Sequence, residues 1–426
     1  MIAMTSPTAG ALGIVAGLAC ITLAGGSAAV TSQGLEGIAP GDTRLVPAVQ
    51  AAFERESYRP GDRATLVIHH RSRHLTMRVF ESGPERVPTT SDTVMNGVPV
   101  TRERWLGRAS GRRVVTVEIG NWESGLYFVR LRAADGRLGF APFVVAPRHV
   151  GEHRVAVVLP TLTWQAYNFR DDDGDGKPDT WYAGKRENTV RLGRAYLDRG
   201  VPYGFRNNLG FLHWLHWTHR KADYLSQWDL EQVVSPAALA RAYDLIVFPG
   251  HHEYVTTREY DLVEGYRDLG GNIAFLSANN FFWRVERKDD VIVKSSRWRD
   301  LGRPEARLIG VQYVGHQRSP RGPWIVRRTP AGSWLFAGTD LGVGSPFARG
   351  GVEIDQVVPA SPNGVRVVAD IPHLFGPGMK AQMTYYETGA GARVFAAGAF
   401  HLTRAATSDA AVRRLLANLW ARMVRR

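Results

Sequence analysis

The chain has 426 residues, 44% hydrophobic and 22% charged, proportions of a soluble globular protein long enough for more than one hydrophobic core. Its net charge of +13 comes from scattered arginines rather than a dense basic run interleaved with aromatics. That pattern argues against nucleic acid as a partner and for an arginine-rich, solvated surface.

In chain order, residues 1–32 read as a signal peptide or an N-terminal anchor. Ala9 to Val30 carries no charge, and GSAAV offers small residues for cleavage. The segment has no Lys or Arg in front of it, and the first is Arg44. The protein is therefore expected to be secreted or held at the cell envelope. The single cysteine, Cys20, lies in this segment, so the rest of the chain has no disulfide, thiol nucleophile or thiolate metal site.

Residues 45–148 predict a β-sandwich of immunoglobulin type. ATLVIHH, LTMRVFES, RVVTVEI, GLYFVRLRA and GFAPFVV alternate or run apolar, and PGD, ESGP and ADG turns separate them. Residues 152–426 predict an α/β domain with a mostly parallel sheet, of the class I glutamine amidotransferase or flavodoxin kind. HRVAVVLP, ADYLSQWDL, YDLIVFPG and NIAFLSANN read as strands. NNLGFLHWLHWTHR, SPAALARAY and TREYDLVEGYRDLGG read as helices between them. From about Asp290 to Phe400 the pattern turns strand-like, a β-rich C-terminal extension, and SDAAVRRLLANLWARMVRR closes the chain as an amphipathic helix.

In an open parallel sheet, ligands bind beyond the carboxyl ends of the strands. Three strand ends carry unusual polar groups: LTWQAYN with Tyr167, FPGHHEY with His251, His252 and Glu253, and SANN with Asn279. His251 and Glu253 are two apart and share a side in extended backbone, while His252 points the other way. Gly250 offers a sharp turn before the pair. H-E-x-x-H fails as a zinc-protease reading, because Thr256 stands four residues after His252. A zinc site of His251, His252 and Glu253 remains a competing possibility.

VVLPTLTWQAYN, WLHWTHRKADYLSQWDL, FPGHHEY and GGNIAFLSANNFFWR resemble the large (beta) subunit of N,N-dimethylformamidase, as does NWESGLYFVRLRAADGRLGFAPFVV before them. The resemblance implies a mononuclear ferric site held by two tyrosines and a glutamate, hydrolysing a small amide. Carried over, it implies Tyr167, Tyr182 and Glu253 as iron ligands, with His251, Asn279 and Glu353 as catalytic residues. Glu353 rests on GGVEID, and Tyr182 on DTWY after an insertion that interrupts the family pattern. It also implies a small partner subunit, with a homo-oligomer as another arrangement.

Phenolate and carboxylate are hard donors that suit Fe(III). A neutral imidazole at His251 suits proton transfer near pH 7, and an asparagine amide suits a developing oxyanion. The plainer reading makes the tyrosines core residues with satisfied hydroxyls and lets His251 cap the following helix.

The insertion DDDGDGKPD places five aspartates in nine residues. Asp171, Asp173, Asp175 and Asp179 fall at spacings that suit a Ca²⁺ shell, although Tyr182 occupies the position where an EF-hand requires glutamate. G-x-S-x-G and the P-loop pattern do not occur, and the twelve tryptophans suit packing. Two functions emerge: a metal-dependent amide hydrolase, or a non-catalytic exported protein that keeps the fold and binds a metal or ligand.

Overall fold

The structure is a computed structural model that describes residues 49–425 apart from 73, 109, 184–187, 198 and 328–329. The expected leader at 1–32 lies outside the described residues. No helix among the described residues is long and apolar enough to cross a membrane.

The chain folds as a β-rich, multi-sheet protein with a few helices. In its first third, a three-stranded sheet and a six-stranded sheet enclose a core of alternate residues. Strand Arg63–His70 pairs antiparallel with Val49–Phe53 and Gly111–Glu118. Strand Gly125–Ala133 pairs antiparallel with Leu75–Ser82 and Leu138–Val145. Leu66, Ile68, Val129 and Leu131 meet in one cluster between the sheets, as period-two alternation dictates.

The rest is organised on a ten-stranded mixed sheet. Its parallel half runs in the spatial order Asp223–Ser226, Val155–Leu159, Leu245–Phe248, Asn272–Phe275 and Arg393–Ala396. Every residue of Val155–Leu159 is buried, because helices cover both faces. Val155, Val157 and Leu159 pack with Leu209, Leu212 and Leu415 on one side. Ala156 and Val158 pack with Leu262 and Val263 on the other. Phe80, Phe128 and Phe140 of the six-stranded sheet join the first of these clusters, locking the two halves of the chain together.

The C-terminal strands differ from the expectation of an added extension. Arg393–Ala396 lies parallel beside Asn272–Phe275, and Ala381–Glu387, Arg366–Ile371, Gln312–Val326 and Pro346–Gln356 continue the same sheet antiparallel from there. Residues 312–400 therefore complete the sheet rather than follow it, while Val291–Arg297 belongs to a separate four-stranded sheet. This arrangement swings Glu353 back over the ends of the parallel strands.

Candidate metal centre

Three of the parallel strands, Val155–Leu159, Leu245–Phe248 and Asn272–Phe275, each deliver one polar segment to the same edge. After Leu159 the chain turns through Pro160 into a short helix, Thr161–Ala166, and Tyr167 is its C-cap. After Phe248 comes Gly250, then the HHE triplet, and after Phe275 comes the Ser277–Asn280 turn. Gly250 stands at a bend, as expected, and has a packing reason as well: a Cβ there would lie 2.1 Å from Oδ1 of buried Asn208. The helix after the triplet is capped by Thr256, whose hydroxyl accepts from the Glu259 amide at 3.1 Å. His251 is thus not its cap.

The three residues implied as ligands converge. Tyr167 donates its hydroxyl to Oε2 of Glu253 at 2.6 Å. The Tyr182 hydroxyl lies 3.4 and 3.3 Å from Oε1 and Oε2 of the same carboxylate. His251 places Nε2 3.4 Å from Oε2 of Glu253 and 3.3 Å from Oε2 of Glu353. Asn279 lies beside them, with its backbone amide bound to Asp355 at 2.9 Å. Tyr167 and His251 are each 8% exposed and Glu353 6%, so the cluster sits just under the surface. The ring of Tyr203, itself 53% exposed, stacks on that of Tyr167 with centroids 5.4 Å apart.

His252 does point the other way, as alternation requires, and is wholly structural. It is fully buried, with Nε2 2.9 Å from the Val158 carbonyl oxygen and its backbone amide bound to Asn280 at 3.0 Å. It is not available to a zinc site with His251 and Glu253.

Burial sets the electrostatics. It raises Glu253 to about 7, opposed by hydrogen bonds from Tyr167 and Tyr182. Burial, reinforced by the charge of Glu253, drives Glu353 and both tyrosines well above their ordinary values. Burial also lowers His251 to about 3. The short contacts of His251 to the two glutamates are therefore contacts of a neutral ring, not ion pairs. Nε2 of His251 and Oε2 of Glu353 are buried without hydrogen-bond partners. Unpaired buried polar atoms are costly, and here they lie among phenol and carboxyl oxygens. That donor set fits a hard trivalent cation.

Backbone strain gathers at the same place. Asn279, Phe281, Val352 and His401 adopt φ of 50°, 57°, 73° and 82°. Left-handed backbone costs a β-branched residue such as Val352 on the order of 1–3 kcal/mol. The surrounding sheet holds Val352 there, and it immediately precedes Glu353.

Sequence reasoning missed Tyr254, Phe400 and Asp355. The Tyr254 hydroxyl touches that of Tyr182 and accepts from Trp181 Nε1 at 3.2 Å. Period-two alternation sends Tyr254 away from Glu253, but its long side chain reaches back. Phe400 packs its ring 4.8 Å from that of His251 and arrives from a strand 149 positions further on, with no local signal.

The acidic insertion forms a turn of its own. One ligand oxygen from each of Asp171, Asp173 and Asp179 lies within 4.8 Å of the others. Asp171 accepts the amides of Gly174 and Gly176 at 2.7 and 2.9 Å. Asp175 stands outside that group and accepts the Lys177 amide at 2.8 Å.

Comparison with known proteins follows the geometry. The curated N,N-dimethylformamidase beta subunit from Alcaligenes sp. is 26% identical over 202 residues, an alignment spanning 38% of this chain and 26% of that protein. The chain thus spans only about a quarter of that relative. Solved structures are far more distant. A superoxide reductase (neelaredoxin) from Ignicoccus hospitalis covers 28% of this chain and 94% of its own, at 14% identity and a TM-score of 0.17. A β-glucosidase from Listeria innocua covers 23% of this chain and 16% of its own, at 12% identity and a TM-score of 0.16. Scores this low carry no argument. Residues 112–409 match the family described as N,N-dimethylformamidase beta subunit-like, C-terminal, a span that includes every residue of the cluster. The chain belongs to that N,N-dimethylformamidase beta subunit-like family.

Proposed function

We propose that this protein is an amide hydrolase whose centre holds a ferric ion between Tyr167, Tyr182 and Glu253. One observation carries the reading: two tyrosine hydroxyls meet a single buried carboxylate, with the neutral ring of His251 and the carboxyl of Glu353 beside it. When bound, the metal supplies Lewis-acid chemistry, polarising a carbonyl and acidifying water.

The side chains supply the rest. His251, kept neutral by burial, presents Nε2 to take a proton from water. The imidazolium so formed would sit 3.4 Å from Glu253, whose negative charge offsets its burial. Glu353, kept protonated by burial and by Glu253, holds a proton for the departing amine. Asn279, whose side chain hydrogen-bonds Glu353, would offer its amide hydrogens to a developing oxyanion. Phe400 and Tyr203 exclude water from the ring faces of His251 and Tyr167.

In this reading the chain is an immunoglobulin-like sandwich over 45–148 followed by an amidotransferase-like α/β domain over 152–426. It is exported through residues 1–32 and works with a partner subunit, the latter supported by the relative being a beta subunit. A calcium ion at Asp171, Asp173 and Asp179 would brace the segment joining Tyr167 to Tyr182. The test is elemental analysis of the purified protein with turnover of small amides. Stoichiometric iron with C–N cleavage is expected; an iron-free protein that hydrolyses amides at full rate would overturn the metal assignment.

A further inference from the structure

Some arginines of this chain are neutralised where they stand, and others, such as Arg59, Arg112 and Arg132, stand exposed and dispersed. Arg63 pairs with Glu118 at 3.1 Å, Arg297 with Asp300 at 2.7 Å, and Arg303 with Asp261 and Glu264 at 2.7 and 2.6 Å. What sets the rim of the candidate centre apart is that its cations are clustered rather than dispersed. Arg206, Arg318, Arg321 and Arg404 gather there with His316 and His401. Each influences a neighbour in the group: Arg206 and Arg321 act on both Arg404 and His401, and Arg318 acts on His316 and Tyr203. The acid among them is Asp92, which sits 3.4 Å from Arg206. Among the described residues, no ion pair includes Arg318, Arg321 or Arg404.

The placement of this rim is fixed by the fold. His316 is the register partner of Glu353, and Arg321 that of Gly351, two residues before Glu353. Arg321 donates Nε to Nδ1 of His401 at 3.1 Å, and the neighbouring Phe400 packs on His251. Tyr203, the exposed ring stacked on Tyr167, lies in the field of Glu353, Arg318 and Arg404 at once. Arg404 is only partly exposed. It gives Nε to Asn207 at 2.8 Å, and burial and the like charge of Arg206 lower it to about 10. Assembling uncompensated cations destabilises a fold. Arginine's fork also matches a planar carboxylate with two parallel hydrogen bonds.

We infer that the substrate is an amide carrying a carboxylate, and that Arg321 and Arg404 hold this anion while the amide lies against Glu253 and His251. The inference rests on the hydrolase reading and narrows it from small amides in general to N-acyl amino acids and their like. In the reaction, water gives its hydroxyl to the acyl carbon, the C–N bond breaks, and the remaining proton goes to the amine. The carboxylate is untouched and serves only to orient. Arg318, more exposed, adds attraction that salt screens within about 8 Å.

The test pairs N-formylglycine with neutral N-propylformamide on the iron-loaded full chain, reading binding by calorimetry and hydrolysis by amine release. Wild type is expected to bind the anion about tenfold or more tightly than the neutral amide, the scale of one charge-assisted hydrogen bond. That ratio should collapse in Arg404→Gln and in the more exposed Arg321→Gln. It should persist in Arg63→Gln, which makes the same charge change on the sandwich. Equal binding of the two amides by wild type, or an unchanged ratio in a folded Arg321→Gln, would overturn the inference. Hydrolysis without anion preference would overturn it and leave the hydrolase reading standing, whereas anion-selective binding without hydrolysis would do the reverse. Tighter binding of N-formylaminomethylphosphonate would overturn the carboxylate in favour of a phosphoryl group.

Discussion

Tyr167 and Glu253, 86 residues apart, share a hydrogen bond of 2.6 Å beneath the surface. Tyr182 adds a second hydroxyl to the same carboxylate. The tyrosines are far too basic to ionise unaided in this pocket, because burial and Glu253 both raise them. In the proposed centre, a trivalent cation held by these residues would take the place of those protons and turn repulsion into attraction. The purified protein should therefore be coloured by phenolate-to-iron charge transfer. Tyr167→Phe and Glu253→Gln should each bleach the band and release most of the iron, as read by absorbance and elemental analysis.

His251 and His252 should separate cleanly. His251→Ala leaves the proposed ligands in place, so iron should stay while turnover falls by about 10²–10⁴-fold, the usual weight of a general base. His252→Ala strips the buried Val158 carbonyl of its imidazole partner and opens a cavity, while the backbone bond to Asn280 stays. It should cost stability, about 2–4 kcal/mol in chemical denaturation, more than it costs the reaction of surviving folded protein. Equal loss of iron from both variants would place His251 among the ligands.

Gly250→Ala should destabilise the protein by about 1–3 kcal/mol through the collision of its new Cβ with Asn208. Because the clash is with one side chain, Asn208→Ala in the same molecule should recover part of that loss. A thermal-shift double-mutant cycle measures the coupling.

The acidic turn should bind Ca²⁺ with a dissociation constant on the order of 10⁻⁴ to 10⁻³ M, by calorimetry. Asp171→Ala together with Asp173→Ala should abolish the binding and speed iron loss, since the turn lies between Tyr167 and Tyr182. Asp175→Ala should do less, because Asp175 stands outside the group.

A pH dependence of stability is built into the contact between the sandwich and the helix Arg206–Trp217. Glu85 lies 3.5 Å from His213, and Glu81 lies 3.6 Å from His216. Burial raises each glutamate from 4.5 to about 7 and lowers His216 to about 4. A raised carboxyl contributes stability that is full below its unfolded value and lost as pH climbs through its folded one. The melting temperature should therefore fall between about pH 4.5 and 7.5 on account of the glutamates. Neutral His216 acts oppositely, its contribution present above about pH 6.5 and lost towards pH 4. Glu85→Gln should flatten the alkaline decline, measured by calorimetric scans across that range.

The legible part of the site was the part fixed by local rules. A buried apolar run followed by glycine and a polar triplet marks a strand end, and alternation alone put His251 and Glu253 on one side. Tyr167 and Asn279 were visible for the same reason. Tyr203, Tyr254 and Phe400 were not, because their roles depend on side-chain reach and on a strand returning from far along the chain. The clustered rim was hidden as well: in the sequence Arg321 and Arg404 look like any of the scattered arginines, and only strand register, for Arg321, and the short helix Leu402–Ala405, for Arg404, bring them to the rim.

The late arrival of Arg393–Ala396 at the middle of the ten-stranded sheet has a consequence for synthesis. Until it is made, the apolar strand Asn272–Phe275 has hydrogen-bonding partners on one side only. At ordinary ribosomal speeds that open edge persists for on the order of ten seconds while residues 276–392 emerge. A bare, fully buried-type strand is a template for wrong pairing. Nascent chains of this protein should therefore need a chaperone during that interval, and fragments ending before residue 393 should aggregate even though each parallel strand before that point is intact.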